Sequence, residues 1–233
     1  MIKSLFNEFE GVSSKAWKQK IQVDLKGADY NDTLIYKNNE GIDVKPFYHA
    51  DEFEALPEVS DSKATDWKIC QSIVVIKAKV ANVRAIDAIK RGAESICFYI
   101  KSEVTSIEDL FQNIDLERIP IQIKCDFLSE DFIKKAHLVI ESKAKKPLTY
   151  FHADIIGNLA KTGNWYSNLK EDHTKFIAIT KSTNHINIDL GLYQNAGATA
   201  IQQLAYGLAH TTEYLNQLDN VIESNSKQSL NIT

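Results

Sequence analysis

The sequence holds three cysteines, Cys70, Cys97 and Cys125, and no CxxC pair. An odd number without paired spacing argues against a disulfide framework and against a structural zinc site. Each cysteine lies inside an apolar run and reads as a buried, inert thiol. No window approaches the roughly 18 consecutive apolar residues of a membrane span, and the first ten residues lack the apolar centre of a secretory leader. The expectation is a cytoplasmic protein with no membrane partner. There is also no basic run, and the net charge is −4, so no nucleic-acid partner is expected. The densest cationic cluster, Lys143, Lys145 and Lys146, falls where a helix should end and complements its dipole there.

What is present is ordinary globular material: 233 residues, 44% hydrophobic and 25% charged, enough for one large domain with an appendage. Residues 1–66 read as an N-terminal arm and linker. Ser13 or Ser14 caps a short helix with Trp17 and Ile21 on one face, ending by Gly27. Two extended runs, Thr33–Tyr36 and Ile42–Tyr48, flank Asn38-Asn39-Glu40-Gly41 as a hairpin, and Pro46 confines the second to an edge. Residues 51–66 are acidic and polar, a linker or wrapping arm.

From Trp67 the pattern becomes regular. Ile69–Ile76 reads as a strand buried on both faces. Asn82 is expected to cap a helix carrying Val83, Ile86 and Ile89, closed by Gly92. Ser95–Ile100 is a second strand and Ile121–Phe127 a third. Between them Ser106 and Asp109 give a capping start to a helix with Leu110. Ser129 caps a longer helix with Phe132, Ile133, Ala136, Val139 and Ile140 at helical spacing. Leu148–Ala153 is the fourth strand, followed by a long loop over Asp154–Trp165, and then a helix with Leu169, His173, Phe176 and Ile177. His185–Tyr193 is the fifth strand. The last helix carries Ile201, Leu204, Ala205, Leu208, Leu215, Leu218 and Ile222 as a sustained stripe. Residues 224–233 are polar and read as a disordered tail.

The cysteines lie 27 and then 28 residues apart, which is the strand period. Five strands alternating with helices mean repeated right-handed βαβ units, either part of a β/α barrel or an open doubly wound sheet. An eight-unit barrel needs roughly 200–250 residues, and residues 67–223 supply about 157.

In parallel β/α folds chemistry gathers at the carboxyl ends of the strands. The polar groups there are Ser72, Asp126, His152, Asp154 and Asp189. A histidine beside carboxylates suits acid–base work or a metal pocket, and equally suits holding loops at strand ends. The sequence has no HExxH, no GxGxxG and no Walker A pattern, and Gly157 and Gly163 read as loop glycines. His49, His137, His173 and His210 are scattered.

The run Gln194-Asn195-Ala196-Gly197-Ala198-Thr199, then Gln203-Leu204-Ala205-Tyr206, Leu208-Ala209 and Glu213-Tyr214-Leu215, closely resembles the fifth barrel unit of the methylmalonyl-CoA mutase family, which reads AGAT, ELAY and EYL. Near the start, Trp17, Asp24-Leu25-Lys26-Gly27-Ala28-Asp29-Tyr30, Thr33-Leu34, Gly41-Ile42 and Pro46-Phe47-Tyr48 resemble the segment leading to that barrel, in its small-subunit version. Trp67-Lys68-Ile69-Cys70-Gln71-Ser72 is similar to the family's W-x-I-R-Q-Y strand. The resemblance runs from about Trp17 to Leu218.

The resemblance implies an α/β fold: a partial (β/α) TIM-type barrel, the first five of eight units, behind an N-terminal helix and hairpin arm. It implies an isomerase system of propionate metabolism that converts methylmalonyl-CoA to succinyl-CoA through adenosylcobalamin. Three key positions depart from the catalytic pattern. Cys70 and Ser72 stand where the first strand carries a substrate-contacting arginine and tyrosine, and Leu192 stands where the fifth strand carries a catalytic histidine. The DxHxxG signature of a cobalamin-binding domain is absent.

These departures lead to an expectation of a non-catalytic small subunit in a heterodimer with the large catalytic subunit. Such a chain would be inactive alone, would carry no catalytic, cofactor-binding or metal residue, and would bind no cofactor itself, with adenosylcobalamin in the holoenzyme. An open fifth strand would also favour self-association through the barrel edge. The alternative is a stand-alone acyl-CoA-binding or isomerase-type barrel enzyme using Asp126, His152 and Asp154.

Overall fold

The structure, a computed structural model, describes residues 8–55, 67–219 and 229–232, divided between two units, Met1–Ala64 and Thr65–Thr233. In the first, Ser13 Oγ accepts from the Ala16 amide at 3.2 Å and opens α1 (Ser14–Asp24). The helix stops before Lys26 and Gly27, both at positive φ. Asp29 accepts from the amides of Asn31 and Asp32 and opens the single turn α2 (Tyr30–Leu34). The expected hairpin is present but short: β1 (Tyr36–Lys37) pairs antiparallel with β2 (Asp43–Val44). Asn38 Oδ1 holds its turn by accepting from Glu40 and Ile42. The Ser14 amide donates to Asp51 at 2.9 Å, and Trp17 meets Phe47 edge to face. Within residues 51–66 only 51–55 are described; a 3-10 turn covers Ala50–Glu52.

The second unit alternates strands and helices: β3 (Cys70–Val75), α3 (Ala78–Lys90), β4 (Ser95–Ile100), α4 (Ile107–Leu110), β5 (Ile121–Cys125), α5 (Glu130–Lys143), β6 (Thr149–His152), α6 (Ile155–Thr162), α7 (Leu169–Thr183), β7 (His185–Ile188), α8 (Gly191–Asn195), α9 (Ala200–Asp219) and β8 (Ser229–Ile232). Strands β3, β4, β5 and β6 form a parallel four-stranded sheet in chain order. Its register aligns Ile73 with Phe98, Ile123 and Phe151, and Ile96 with Ile121. Because side chains alternate along a strand, these residues share one face. That face and Ala81, Ala85, Leu110, Phe111, Phe132, Ile133, Ala136 and Ile140 from the helical segments make one buried core. Each fully buried member, such as Ile96, Phe98 or Ile121, contributes about 1.5–3 kcal/mol of burial.

Several elements differ from the sequence expectation. Strand β3 is buried on one face only, with Ile73 and Val75 inward and Ser72 and Val74 outward, because helices cover one face of the sheet; the inner strand β5 alternates in the same way. Helix α3 starts four residues before Asn82. Asn82 sits buried inside it and donates to the carbonyls of Leu110 and Gln112, both at 2.8 Å. The expected loop after β6 is mostly helix α6, capped by Asp154 and ended by Gly163 at φ 75°. The fifth strand ends at Ile188, and Leu192 lies in α8. Strand β7 makes no ladder with β6 among the described residues. It pairs with β8, while the Asn187 side chain donates to the Phe151 carbonyl of β6. Residues 229–232, read from the sequence as tail, thus run as a strand; 224–228, 233 and Ile222 lie outside the described residues. The α9 stripe is also turned: Gly207, His210, Thr211, Tyr214 and Leu218 face inward.

Candidate functional site

The face of the sheet opposite the helical core is polar. Its first rung is Ser72, Cys97, Gln122 and Tyr150, and its second is Val74, Tyr99, Lys124 and His152. Lys124 Nζ lies 2.6 Å from Asp189 Oδ2 and 5.8 Å from the Tyr99 ring centre. Asp189 Oδ1 accepts from the Gly191 amide at 3.0 Å, so one carboxylate meets both the lysine and the first amide of α8. Burial alone would depress the Lys124 ammonium, but the hydrogen bond and charge of Asp189 hold its pKa above the ordinary value. His152 is pushed down to about 4, first by burial and then by the charge of Lys124, and its Nε2 is enclosed without a hydrogen-bond partner. Burial lifts the Cys97 thiol to about 11 and raises the Tyr99 phenol.

A second cluster surrounds Asp154, the N-cap of α6. Its Oδ1 accepts from the Gly157 amide at 2.7 Å and from the Tyr214 hydroxyl at 2.6 Å. The same hydroxyl accepts from the Ile156 amide at 2.9 Å. His210 Nε2 lies 3.0 Å from Asp154 Oδ1, close but not aligned as a hydrogen bond, and its Nδ1 meets the Tyr193 hydroxyl at 3.1 Å. Burial and the Asp154 charge raise the Tyr214 phenol far above its usual pKa.

The structure therefore sorts the five strand-end residues. His152 and Asp189 both lie beside Lys124, and Asp154 belongs to the separate tyrosine–histidine cluster. Ser72 is exposed on the outer strand, and Asp126 forms a surface ion pair with Lys101. Asp126, His152 and Asp154 do not share one set of polar contacts. The sequence reading missed Lys124, Tyr193 and Tyr214. A visible signal for Lys124 was a cation inside the strand Ile121–Cys125; Tyr214 stood in the motif Glu213-Tyr214-Leu215, but the helical pattern reads it as one more apolar position and gave no sign of its polar partners.

Neither cluster has an activated nucleophile. Cys97 is held as a thiol, the Lys124 amine is held charged, and His152 is neutral at pH 7, able to exchange hydrogen bonds but not to act as a cation.

A parallel sheet of consecutive strand–helix units, with its polar residues gathered toward the strands' carboxyl ends, defines an α/β protein of the β/α-repeat class. Residues 99–222 match the family model of methylmalonyl-CoA mutase, more than half of the chain, and the chain belongs to that family. It is 28% identical over 241 residues to the methylmalonyl-CoA mutase small subunit of Porphyromonas gingivalis (strain ATCC BAA-308 / W83). The match covers 92% of this chain and 38% of that relative, so the chain spans less than two fifths of the relative's length.

The family is cobalamin-dependent in general. Among the described residues, His210 is enclosed between Tyr193 and Asp154, His152 has its Nε2 buried, and no group of three or more His, Cys, Asp or Glu side chains is placed to hold a metal ion. No helix among the described residues is long and apolar enough to cross a membrane.

Proposed function

We propose that this chain is a non-catalytic small-subunit segment of an adenosylcobalamin-dependent methylmalonyl-CoA mutase. In this reading it works in the cytoplasm beside a larger catalytic subunit, which isomerises methylmalonyl-CoA to succinyl-CoA in propionate metabolism. Residues 1–66 serve as an arm and 67–223 as part of a β/α barrel. The burial of one sheet face under helices, with the other left polar, supports the barrel, because a doubly wound sheet carries helices on both faces.

The observation that carries the non-catalytic reading is the side chains at the departing positions. Cys70 and Ser72 occupy the polar face of β3, and Leu192 lies in α8 rather than at a strand end. A thiol supplies no cation for a carboxylate, a short hydroxyl no aromatic ring, and an aliphatic group no proton.

Co-expression with a large catalytic mutase subunit tests the proposal. The expected result is stoichiometric co-purification and no turnover of methylmalonyl-CoA by this chain alone with adenosylcobalamin. Absence of any association, or turnover by the isolated chain, overturns it.

A further inference from the structure

A groove of about 560 Å³ runs between the last turns of α3 and the segment 113–119, at the end of the sheet where β4 and β5 begin. The polar cluster around Lys124 lies toward the other end. Four isoleucines form the floor: Ile86 and Ile89 from α3, Ile114 and Ile119 from the segment before β5. Ile114 is buried and the other three are half-buried against the main core, so the floor is a partly open margin of that core. The walls are held by the fold. Asn82, buried inside α3, donates to the carbonyls of Leu110 and Gln112 and keeps the following segment against the helix. The Ile119 amide donates to the Asp115 carbonyl at 2.9 Å and closes that segment into a turn. Lys68, Lys90 and Arg118 line the groove, exposed, and none has a carboxylate partner among the described residues. The two acids of the lining are occupied: Glu94 Oε2 accepts from the Ile69 amide at 3.0 Å, and Asp115 Oδ1 from the Glu117 amide at 3.1 Å. The last carbonyls of α3 are taken as well, by the amides of Arg91, Gly92 and Ala93. Three cations thus stand against two carboxylates already bonded to backbone, an excess of one positive charge.

We propose that this groove binds an aliphatic carboxylate, with its chain on the isoleucine floor and its head among the three cations. A concave, mostly apolar site of this size with a few convergent polar groups is the usual form of a small-molecule site. A single excess charge suits a carboxylate better than a doubly charged phosphate. The Arg118 guanidinium can take the head through two parallel N–H bonds. Each methylene laid on the floor leaves water and adds to binding, and walls held before the ligand arrives lower the cost of ordering them. The inference goes beyond the proposed function: the groove shares no residue with the site described above or with Cys70, Ser72 and Leu192.

Titration of the purified chain with octanoate, followed by amide NMR, tests it. The expected result is saturable shifts confined to the amides of residues 86–94 and 113–119. Octanol lacks the charge and acetate lacks the chain, and each is expected to bind at least about tenfold more weakly than octanoate. Charge reversal in K90E/R118E is expected to weaken octanoate by about tenfold, and added salt to weaken it in the wild type. Ile86→Gln gives an independent loss through the floor, and an unchanged spectrum elsewhere shows that each variant is folded. Absence of saturable shifts overturns the proposal, as do shifts centred on Lys124 and His152. Equal binding of octanol, or full affinity in K90E/R118E, overturns it too. Each of these failures leaves co-purification with a large subunit untouched.

Discussion

The Tyr214 hydroxyl donates to Asp154 at 2.6 Å across sixty residues of sequence and accepts the Ile156 amide at 2.9 Å. A single phenol thereby ties α9 to the turn that follows β6, while its ring stacks on Phe176 with centroids 4.3 Å apart. Tyr214→Phe keeps the stacking and strips both bonds, leaving a buried amide and part of a carboxylate unsatisfied. The expected cost is about 1–3 kcal/mol. It should appear as a lower urea midpoint with an unchanged slope, and a wild-type midpoint would show that the hydroxyl ties nothing.

Gly207 faces Leu190 so closely that an added Cβ would collide with the leucine's Cδ2. Gly207→Ala should therefore destabilise by about 1–3 kcal/mol, although alanine is the better helix former. Trimming the obstacle tests the cause. The double variant Gly207→Ala with Leu190→Ala should cost less than the sum of the two single changes; strict additivity in thermal denaturation would refute the close contact.

The charges flanking His152 act on it in opposite directions: Lys124 lowers its pKa and Asp189 raises it, beneath a larger depression from burial. Lys124→Met should consequently move the imidazole up from about 4, and Asp189→Asn should move it further down. Titration of the ring protons by NMR reads both. Shifts of the same sign in the two variants would contradict this placement of the pair.

His152 also sets a pH dependence of stability. It is neutral in the folded protein down to about pH 4, whereas an unfolded histidine takes up a proton near 6.5. Between these values the unfolded chain binds more protons. The contribution is thus fully present above about pH 6.5 and is lost as pH falls toward 4, up to about 3 kcal/mol in all. His185 is depressed by burial as well and acts in the same direction. His152→Gln should flatten the acid side of the stability curve measured by denaturant unfolding from pH 7 to pH 4; an unaltered curve would assign the dependence elsewhere.

The strands through Phe151 were legible because each is a β-branched, apolar run between turn residues, and the four-stranded sheet follows from their repetition. Helix α6 was not legible, since Gly157 and Gly163 look like loop glycines. Gly157 is small because the Asp154 carboxylate folds over it, and Gly163 is the left-handed end of the helix. Asn82 reads as a cap only because its real partners, the carbonyls at 110 and 112, lie a full strand–helix unit away. The orientation of α9 was hidden for the same reason. Periodicity gave the stripe, but the inward side is chosen by His210 and Tyr214, whose hydrogen-bond partners come from distant segments. The same limit applied to the candidate site: Asp189 and His152 could be placed at strand ends, yet their common neighbour Lys124 emerged only from the register.

Asn187 is the place where this architecture changes character. On one side of it, four strands are bound edge to edge by backbone hydrogen bonds. On the other, the Asn187 side-chain amide reaches the Phe151 carbonyl of β6, and no ladder joins β7 to β6 among the described residues. A ladder opens only when its strands unzip, whereas an amide releases by turning about its own bonds. The unit is therefore seamed. Slow hydrogen exchange would resolve it into two cooperative blocks, β3–β6 and β7–β8, with the boundary at this one residue.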